Sequence, residues 1–239
     1  MSKLKIATYN INCFLYAKQI EEICQEIKEI DPDIIALQEV DWHSRRSGSA
    51  NQVKLAAEKC GYPYWYFGIA NIHPKHGGLY GHGILSKYPL LTSETRVFTF
   101  QPEEPRSFER HELDIDGKKL ALYNTHLCLG ANENRLKQIK EIFDLMEKDE
   151  YAVLTGDLNM QPEVFTPLLN KEKFTSLNGD GTEGFGYKSC PEAEKSSVTI
   201  DHIIVSNTLR FPQYEEHIGV KINRSPWSDH NMVYTTIEF

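Results

Sequence analysis

Residues 4–39 read LKIATYNINCFLYAKQIEEICQEIKEIDPDIIALQE and contain a strand, a helix and a second strand. Residues 4–10 are apolar and favour a buried strand. Residues 17–30 repeat apolar side chains at the i, i+3, i+4 spacing of an amphipathic helix. Pro32 ends that helix, because proline cannot continue it, and residues 34–37 form the next strand. This spacing predicts a βαβ-like unit with at least one parallel pair of strands.

The rest of the chain favours two further helices and a series of short strands. The predicted helices cover residues 51–60 and 132–146. The predicted strands cover residues 64–69, 83–86, 91–100, 108–115, 119–125, 151–155, 199–205 and 232–237. Asp116-Gly117 is a hairpin signal between two of these strands. No repeat, linker or low-complexity segment divides the sequence, so we predict one α/β domain over residues 1–239, with two sheets covered by outer helices.

Composition and charge restrict the class of protein. The 239 residues are 40% hydrophobic, which is enough for a sizeable core and argues against a disordered chain. The net charge of −8 argues against a broad surface for duplex nucleic acid. Five cysteines without C-x-x-C spacing indicate reduced thiols and no structural zinc. With no apolar run of the ~20 residues that span a bilayer, and no signal-peptide pattern at the amino terminus, we expect a cytoplasmic protein, with a removed signal peptide as the alternative. We also expect a monomer.

Polar side chains recur at the ends of the predicted apolar strands. They are Tyr9-Asn10, Gln38-Glu39, Thr125-His126, Gly156-Asp157-Leu158-Asn159, Asp201-His202 and Ser228-Asp229-His230. Each alone has an ordinary structural explanation, since Asp and Asn form turns and most buried histidines are hydrogen-bonded core residues. Together they offer carboxylates, amides and histidines without a serine or cysteine placed as a nucleophile. This set favours phosphoester hydrolysis assisted by a hard cation such as Mg²⁺, which prefers oxygen ligands.

Six motifs occur in the order typical of one superfamily. They are Thr8-Tyr9-Asn10, Leu37-Gln38-Glu39-Val40, Asn124-Thr125-His126-Leu127, Gly156-Asp157-Leu158-Asn159, Ile200-Asp201-His202-Ile203 and Ser228-Asp229-His230. From residue 8 to residue 230 the chain therefore resembles the endonuclease/exonuclease/phosphatase superfamily, which includes DNase I, apurinic endonucleases, neutral sphingomyelinases and inositol polyphosphate 5-phosphatases. The resemblance implies a DNase I-like four-layer α/β sandwich. Two mixed, mainly antiparallel sheets would pack face to face, with helices outside.

The resemblance also implies a metal site. Glu39 would be the main metal-binding carboxylate, with Asn10 beside it. Asp229 would help to bind the same ion or a second one. The implied cofactor is Mg²⁺, with Mn²⁺ as the alternative.

The catalytic residues are implied in the same way. Asp157 would orient or deprotonate the attacking water, and Asn159 would hold that water or a phosphoryl oxygen. His230 would contact the scissile phosphate, as a general base or as an electrostatic donor, while Asp201 fixes its tautomer. His126 would donate to the phosphate from the opposite side.

Arginines are the expected phosphate-binding side chains. Arg106 lies upstream of the strand before His126, where similar bacterial members carry an arginine, and Arg110 is the competing candidate. Arg45-Arg46-Ser47-Gly48 resembles a bacterial subgroup, so Arg46 is a second candidate, although a solvated loop charge is the alternative.

Two glycine-rich runs are expected to border the pocket. Residues 72–81 are predicted to form a flexible rim, and residues 179–188 a pocket wall. His73, His76 and His82 raise the alternative of transition-metal binding, but a rim is the preferred interpretation.

We therefore predict a divalent-metal-dependent hydrolase that cleaves a phosphoester by direct water attack. The acidic net charge and the lack of a basic, aromatic-rich insertion favour a small molecule or a lipid headgroup as substrate. An endonuclease or exonuclease acting on DNA or RNA is the alternative. A catalytically silent protein that binds a partner through the same cleft is less favoured, because every motif position holds a chemically competent residue.

Overall fold

The computed structural model describes residues 2–73, 75–102, 104–182, 186–190, 198–213 and 219–239. This part of the chain contains twelve strands and five α-helices. The strands are β1 Lys3–Asn10, β2 Ile34–Trp42, β3 Tyr64–Ile72, β4 Leu79–Ser86, β5 Leu90–Val97, β6 Ser107–Ile115, β7 Lys118–His126, β8 Tyr151–Asp157, β9 Phe174–Ser176, β10 Asp201–Ser206, β11 Lys221–Asn223 and β12 Met232–Glu238. The helices are α1 Asn12–Ala17, α2 Ile20–Ile30, α3 Gln52–Cys60, α4 Asn132–Met146 and α5 Pro162–Phe165.

The strands form two six-stranded mixed sheets. The first has the order β11-β12-β1-β2-β4-β3, and the second has the order β5-β6-β7-β8-β10-β9. β1 pairs in parallel with β2, as the opening pattern predicted, and β7 pairs in parallel with β8. The other strand pairs are antiparallel.

Alternation along the strands separates the protein into four layers. In β1, Leu4 and Ile6 pack in the core between the two sheets, whereas Ala7 and Tyr9 pack outward with helical residues such as Ile23. The second sheet has the same arrangement, with its outer face packed against α4. The predicted sandwich is therefore confirmed, and its physical basis is the period-2 alternation of side chains in a strand.

The boundaries differ from the sequence prediction in informative places. The predicted helix 17–30 is divided, and α2 begins at Ile20, where the apolar repeat begins. It ends before Asp31, which adopts a left-handed conformation with φ 49°. The predicted rim 72–81 is mostly the β3–β4 hairpin, because both strands extend into it. β2 continues past Glu39 to Trp42.

Four short elements, α1, β9, β11 and α5, were not predicted, because segments of three to six residues carry too little periodicity. Within the predicted pocket wall 179–188, residues 183–185 lie outside the described residues. Among the helices in the described ranges, each is too short or too polar to span a membrane. All five cysteines are free, as expected.

Candidate active site

The site lies at one edge of the sandwich, where ends of strands from both sheets meet. In the first sheet Asn10 is in register with Gln38. In the second sheet His126 and Asp201 are each in register with Asp157. Because neighbouring strands are about 5 Å apart, this register alone brings residues from distant parts of the chain to one edge.

A β-bulge directs Glu39 into the site. The register of β2 shifts between Gln38 and Val40, and Glu39 has a left-handed φ of 56°. Simple alternation would place Glu39 on the outer face with Leu37, so the extra residue re-aims its carboxylate inward. There it accepts a hydrogen bond from Asn10 Nδ2 at 3.0 Å. Burial raises the pKa of Glu39 above its ordinary value.

Asp157 is the centre of the cluster. Its Oδ2 accepts a hydrogen bond from Asn10 Nδ2 at 3.1 Å and lies 3.5 Å from His126 Nε2 and 3.7 Å from His230 Nε2. Its Oδ1 accepts the backbone N–H of Asn159 at 2.9 Å. Burial and then the negative charge of Asp201 raise the pKa of Asp157 to about 7, although His230 opposes this shift. Burial therefore favours the protonated form of this carboxyl group up to a higher pH than in an exposed aspartate.

Gly156 allows strands β7 and β8 to approach closely beside Asp157. Its φ is 149°, and a Cβ at this position would overlap the backbone oxygen of Thr125. Asn159 also has a left-handed conformation, with φ 50°, and its side-chain amide donates to the backbone oxygen of Leu127 at 3.0 Å. The hydrogen bonds of Asn159 to Asp157 and to Leu127 thus fix the loop after β8.

The two histidines differ in charge. His230 Nδ1 lies 2.8 Å from Asp201 Oδ2, the contact that the resemblance implied. Burial lowers the pKa of His230, but the charges of Asp201 and Asp157 outweigh burial and raise it well above its usual value. Burial, followed by the positive charge of Arg106, holds the pKa of His126 well below the usual range. The surroundings therefore favour the cationic form of His230 and the neutral form of His126.

The structure separates the two arginine candidates. Arg106 is 2% exposed, donates to Glu104 Oε2 at 2.8 Å, and has no hydrogen-bond partner at Nε and Nη1. Arg110 instead pairs with Asp149 at 2.7 Å and with the Tyr123 hydroxyl. Asp149 precedes β8, at the end opposite Asp157. Of these two arginines, Arg106 is the one whose charge acts on His126 and Glu39, and its Nε and Nη1 remain as donors.

Arg46 is held by a buried acidic residue. Its Nε and Nη2 each lie 2.8 Å from an oxygen of Asp41, which is fully buried. The Tyr80 ring lies near both arginines, with its centroid 5.6 Å from Arg46 Cζ and 6.0 Å from Arg106 Cζ. Tyr80 carried no signal in the sequence, because its role depends on side chains that meet only in the fold. Arg45 donates to backbone oxygens of the β3–β4 turn.

The three histidines of the predicted rim have different positions. The rings of His73 and His76 contact each other at the hairpin turn, with centroids 4.8 Å apart and planes inclined by 56°. His82 is buried in β4 and contacts the backbone oxygen of Ser107 at 3.0 Å. Burial lowers the pKa of His82 to about 4. His82 is thus a neutral interior residue instead of part of a rim.

The donors at the site fit a hard cation. Asp157, Asp201 and His230 each offer a ligand atom within 4.8 Å of the other two, the one such group of three in the described ranges. Because Asp201 and His230 already bond each other, the carboxylate of Glu39, which Asn10 links to Asp157, is a better ligand candidate. The negative charge of half-buried Asp229 further raises the pKa of Glu39, and a cation would offset this repulsion.

Asn10 differs in detail from its implied position in a metal shell. Its Oδ1 accepts the backbone N–H of Asn12 at 3.0 Å, while its Nδ2 bridges Glu39 and Asp157. The amide therefore positions two carboxylates. Ser228 was part of a motif but was assigned no role, and its Oγ donates to the backbone oxygen of Asn10 at 2.7 Å.

A sandwich of two mixed sheets with carboxylates and histidines at one edge is an arrangement of phosphoester hydrolases. The chain belongs to the Endonuclease/Exonuclease/phosphatase family, whose model matches residues 7–230. Members of this family are phosphoester hydrolases. Comparison with curated protein sequences gave no significant match.

Solved structures share the fold at low sequence identity. An endonuclease/exonuclease/phosphatase from Beutenbergia cavernae is 18% identical with a TM-score of 0.79, and the match covers 100% of this chain and 72% of that one. D. rerio TDP2 complexed with single-strand DNA product is 18% identical with a TM-score of 0.77, and the match covers 100% of both chains. A Bacteroides thetaiotaomicron mannosyl-6-phosphatase is 16% identical with a TM-score of 0.69, over 99% of this chain and 100% of that one.

Proposed function

We propose that this protein is a divalent-metal-dependent phosphoesterase that cleaves its substrate by direct attack of water. The observation that carries the proposal is the environment of Asp157 Oδ2, which faces Asn10, His126 and His230 within 3.7 Å. A carboxylate in this position can accept a proton from a water molecule while neighbouring donors hold the phosphate.

Oxygen ligands support a cation beside this carboxylate. Glu39 would hold the ion, with Asp229 and Asn10 nearby. When bound, Mg²⁺ or Mn²⁺ would polarise a phosphoryl oxygen and offset charge on the leaving oxygen.

The charges of the other site residues indicate which of them would accept a proton and which would donate hydrogen bonds to the phosphate. Asp157, with a pKa of about 7, would take a proton from the attacking water. At the same time the water oxygen would bond to phosphorus, and the bond between phosphorus and the leaving oxygen would break. The resemblance left the general base open between Asp157 and His230. The raised pKa of His230 supports a role as donor to the phosphoryl oxygens, so we assign the base to Asp157. The free nitrogens of Arg106 would donate to the same oxygens.

The acidic net charge of −8 supports a small phosphorylated molecule or a lipid headgroup as substrate. A nuclease activity is the second candidate, because the similar TDP2 structure contains a single-strand DNA product. The two candidates share the same reacting atoms and differ in the group attached to phosphorus.

A substrate panel with Mg²⁺ or Mn²⁺ tests this proposal. The panel contains phosphomonoesters, small phosphodiesters, phospholipid headgroup diesters, nucleotides, single-stranded oligonucleotides and plasmid DNA. We expect turnover of at least one class, prevention by EDTA, and loss in Asp157→Ala and His230→Ala. Turnover of the small compounds would favour the first candidate, and nicking or trimming of DNA would favour the second.

Asp144→Asn is a matched control, because Asp144 is an exposed carboxylate on α4 that pairs with Lys140. It should retain wild-type rates. If the folded wild-type protein turns over no member of the panel with either ion, the proposal is wrong.

A further inference from the structure

A buried carboxylate outside the described cluster contacts the segment that carries His230. Glu26 lies on the inner face of α2, beside the apolar residues Ile23 and Ile27, and is 8% exposed. Its Oε2 accepts hydrogen bonds from the Tyr9 hydroxyl at 2.8 Å and from Ser225 Oγ at 2.9 Å. The Tyr9 and Ser225 oxygens are themselves 2.7 Å apart.

A carboxylate at the position of Glu26 lowers the stability of the fold, because the inner face of α2 packs against apolar residues. Burial raises its pKa above the ordinary value, although the hydrogen bonds from Tyr9 and Ser225 oppose that shift. An apolar side chain would fill the same space without removing a carboxylate from water. The presence of a glutamate at position 26 is therefore explained by its hydrogen bonds to Tyr9 and Ser225, and not by the packing of α2.

Ser225 connects Glu26 to residues 225–231, which we call the histidine loop. Ser225 Oγ accepts the backbone N–H of Trp227 at 3.0 Å, and Ser225 N donates to Asn231 Oδ1 at 3.1 Å. These two bonds close the loop on either side of His230. Tyr9 precedes Asn10 in β1, so the same group of three oxygens also borders the strand that carries a site residue.

We propose that Glu26 is a positioning residue that, through Tyr9 and Ser225, holds the histidine loop in the conformation that presents His230. Glu26 touches none of the proposed reacting groups, so its effect on turnover passes through the loop. The effect on turnover rests on the proposed function, whereas the effect on loop order does not.

Hydrogen exchange and kinetics on the full chain test the two parts separately. Glu26→Met removes the acceptor but keeps the volume, and Glu26→Gln keeps an oxygen that can accept both hydroxyls. In metal-free Glu26→Met we expect exchange in the histidine loop to rise about tenfold, with the strands of both sheets unchanged. Glu26→Gln should restore protection.

With a substrate found in the panel, Glu26→Met should lower kcat about tenfold or more and change KM less than about threefold, because a misplaced His230 weakens transition-state contacts. Glu26→Gln should recover most of kcat. Glu29→Met is the matched control, since Glu29 is an exposed glutamate on the same helix, and it should match the wild type in both measurements.

The positioning role is wrong if Glu26→Met leaves loop exchange and kcat unchanged, or if Glu26→Gln is as impaired as Glu26→Met. If Glu26→Met does not fold, Tyr9→Phe and Ser225→Ala test the same contact from the other two sides, and unchanged loop exchange in both overturns the proposal. If the wild type hydrolyses no phosphoester, the proposed function fails, and loop exchange still decides whether Glu26 orders the loop.

Discussion

The space between the two sheets is apolar at one end and polar at the other. In β1 the inward side chains run from Leu4 and Ile6 to Thr8 and Asn10, all fully buried. The inward side of β7 changes in the same way, ending at His126. The change from apolar to polar side chains thus occurs within a single strand. In β1 it falls between the inward residues Ile6 and Thr8.

The layer between the two sheets thus both stabilises the fold and holds the residues of the candidate site. Burial of apolar side chains stabilises the fold, whereas a buried carboxylate or imidazole costs stability unless it is paired. At the polar end, Asp201 Oδ1 and His126 Nδ1 are buried without a partner. The apolar end therefore provides the stability that lets the polar end keep groups suited to chemistry.

Asp157→Asn should produce the largest effect at the polar end. Loss of the proton acceptor should lower kcat about 10³-fold, or ~4 kcal/mol of transition-state stabilisation. The metal-free variant should melt at the same temperature as the wild type or higher, because a buried carboxylate is removed. Steady-state kinetics and calorimetry measure the two effects. A variant with near-normal kcat would contradict the assignment of Asp157.

Leu122→Ala should produce the reverse result at the apolar end. Leu122 is fully buried between the sheets, on the same strand as His126. We expect the free energy of unfolding to fall by about 3 kcal/mol because a cavity forms. The kcat of the folded variant should stay within about twofold of the wild type. Chemical denaturation and kinetics at low temperature check this, and a large loss of kcat would show that the two ends are coupled.

Arg106→Gln and Arg110→Gln compare an arginine that directly precedes β6 with an arginine in the middle of that strand. Arg106→Gln should lower kcat/KM about 30-fold, or ~2 kcal/mol, because donors to the phosphate are lost. Arg110→Gln should leave kcat/KM unchanged, since Arg110 pairs with Asp149 away from the site. Equal losses in both variants would refute this difference.

The pH dependence of metal-free stability should give the smallest effect. Folding raises the pKa of Asp157 from 3.8 to about 7, so the folded state holds this proton more tightly than the unfolded state. Its stabilising contribution is complete below about pH 4 and is lost as pH rises through about 7.

Compared with Asp157→Asn, metal-free wild type should therefore lose about 4 °C in Tm, or ~1.3 kcal/mol, between pH 6 and pH 8. Added Mg²⁺ or Mn²⁺ should reduce the difference. Scanning calorimetry with EDTA or with metal measures it, and a wild type that gains stability over this range relative to the variant would contradict the direction.

Much of the fold could be predicted because its signals are local. The helix stop before Pro32, the parallel pair β1–β2 and the Asp116-Gly117 hairpin all follow from short patterns. The motifs also named the residues that meet at the edge. The bulge at Glu39 and the burial of Glu26 were not predictable, since each depends on contacts with distant strands.

The sequence by itself determined the alternation of the strands, the four layers and the residue types available for chemistry, because these depend on neighbouring positions along the chain. The tertiary structure alone decided which arginine faces the cluster, which histidine carries charge, and how Asn10 bridges two carboxylates. Burial and electrostatic interaction depend on distances through space, and residues such as Asn10, Asp157 and His230 become neighbours only when both sheets have packed.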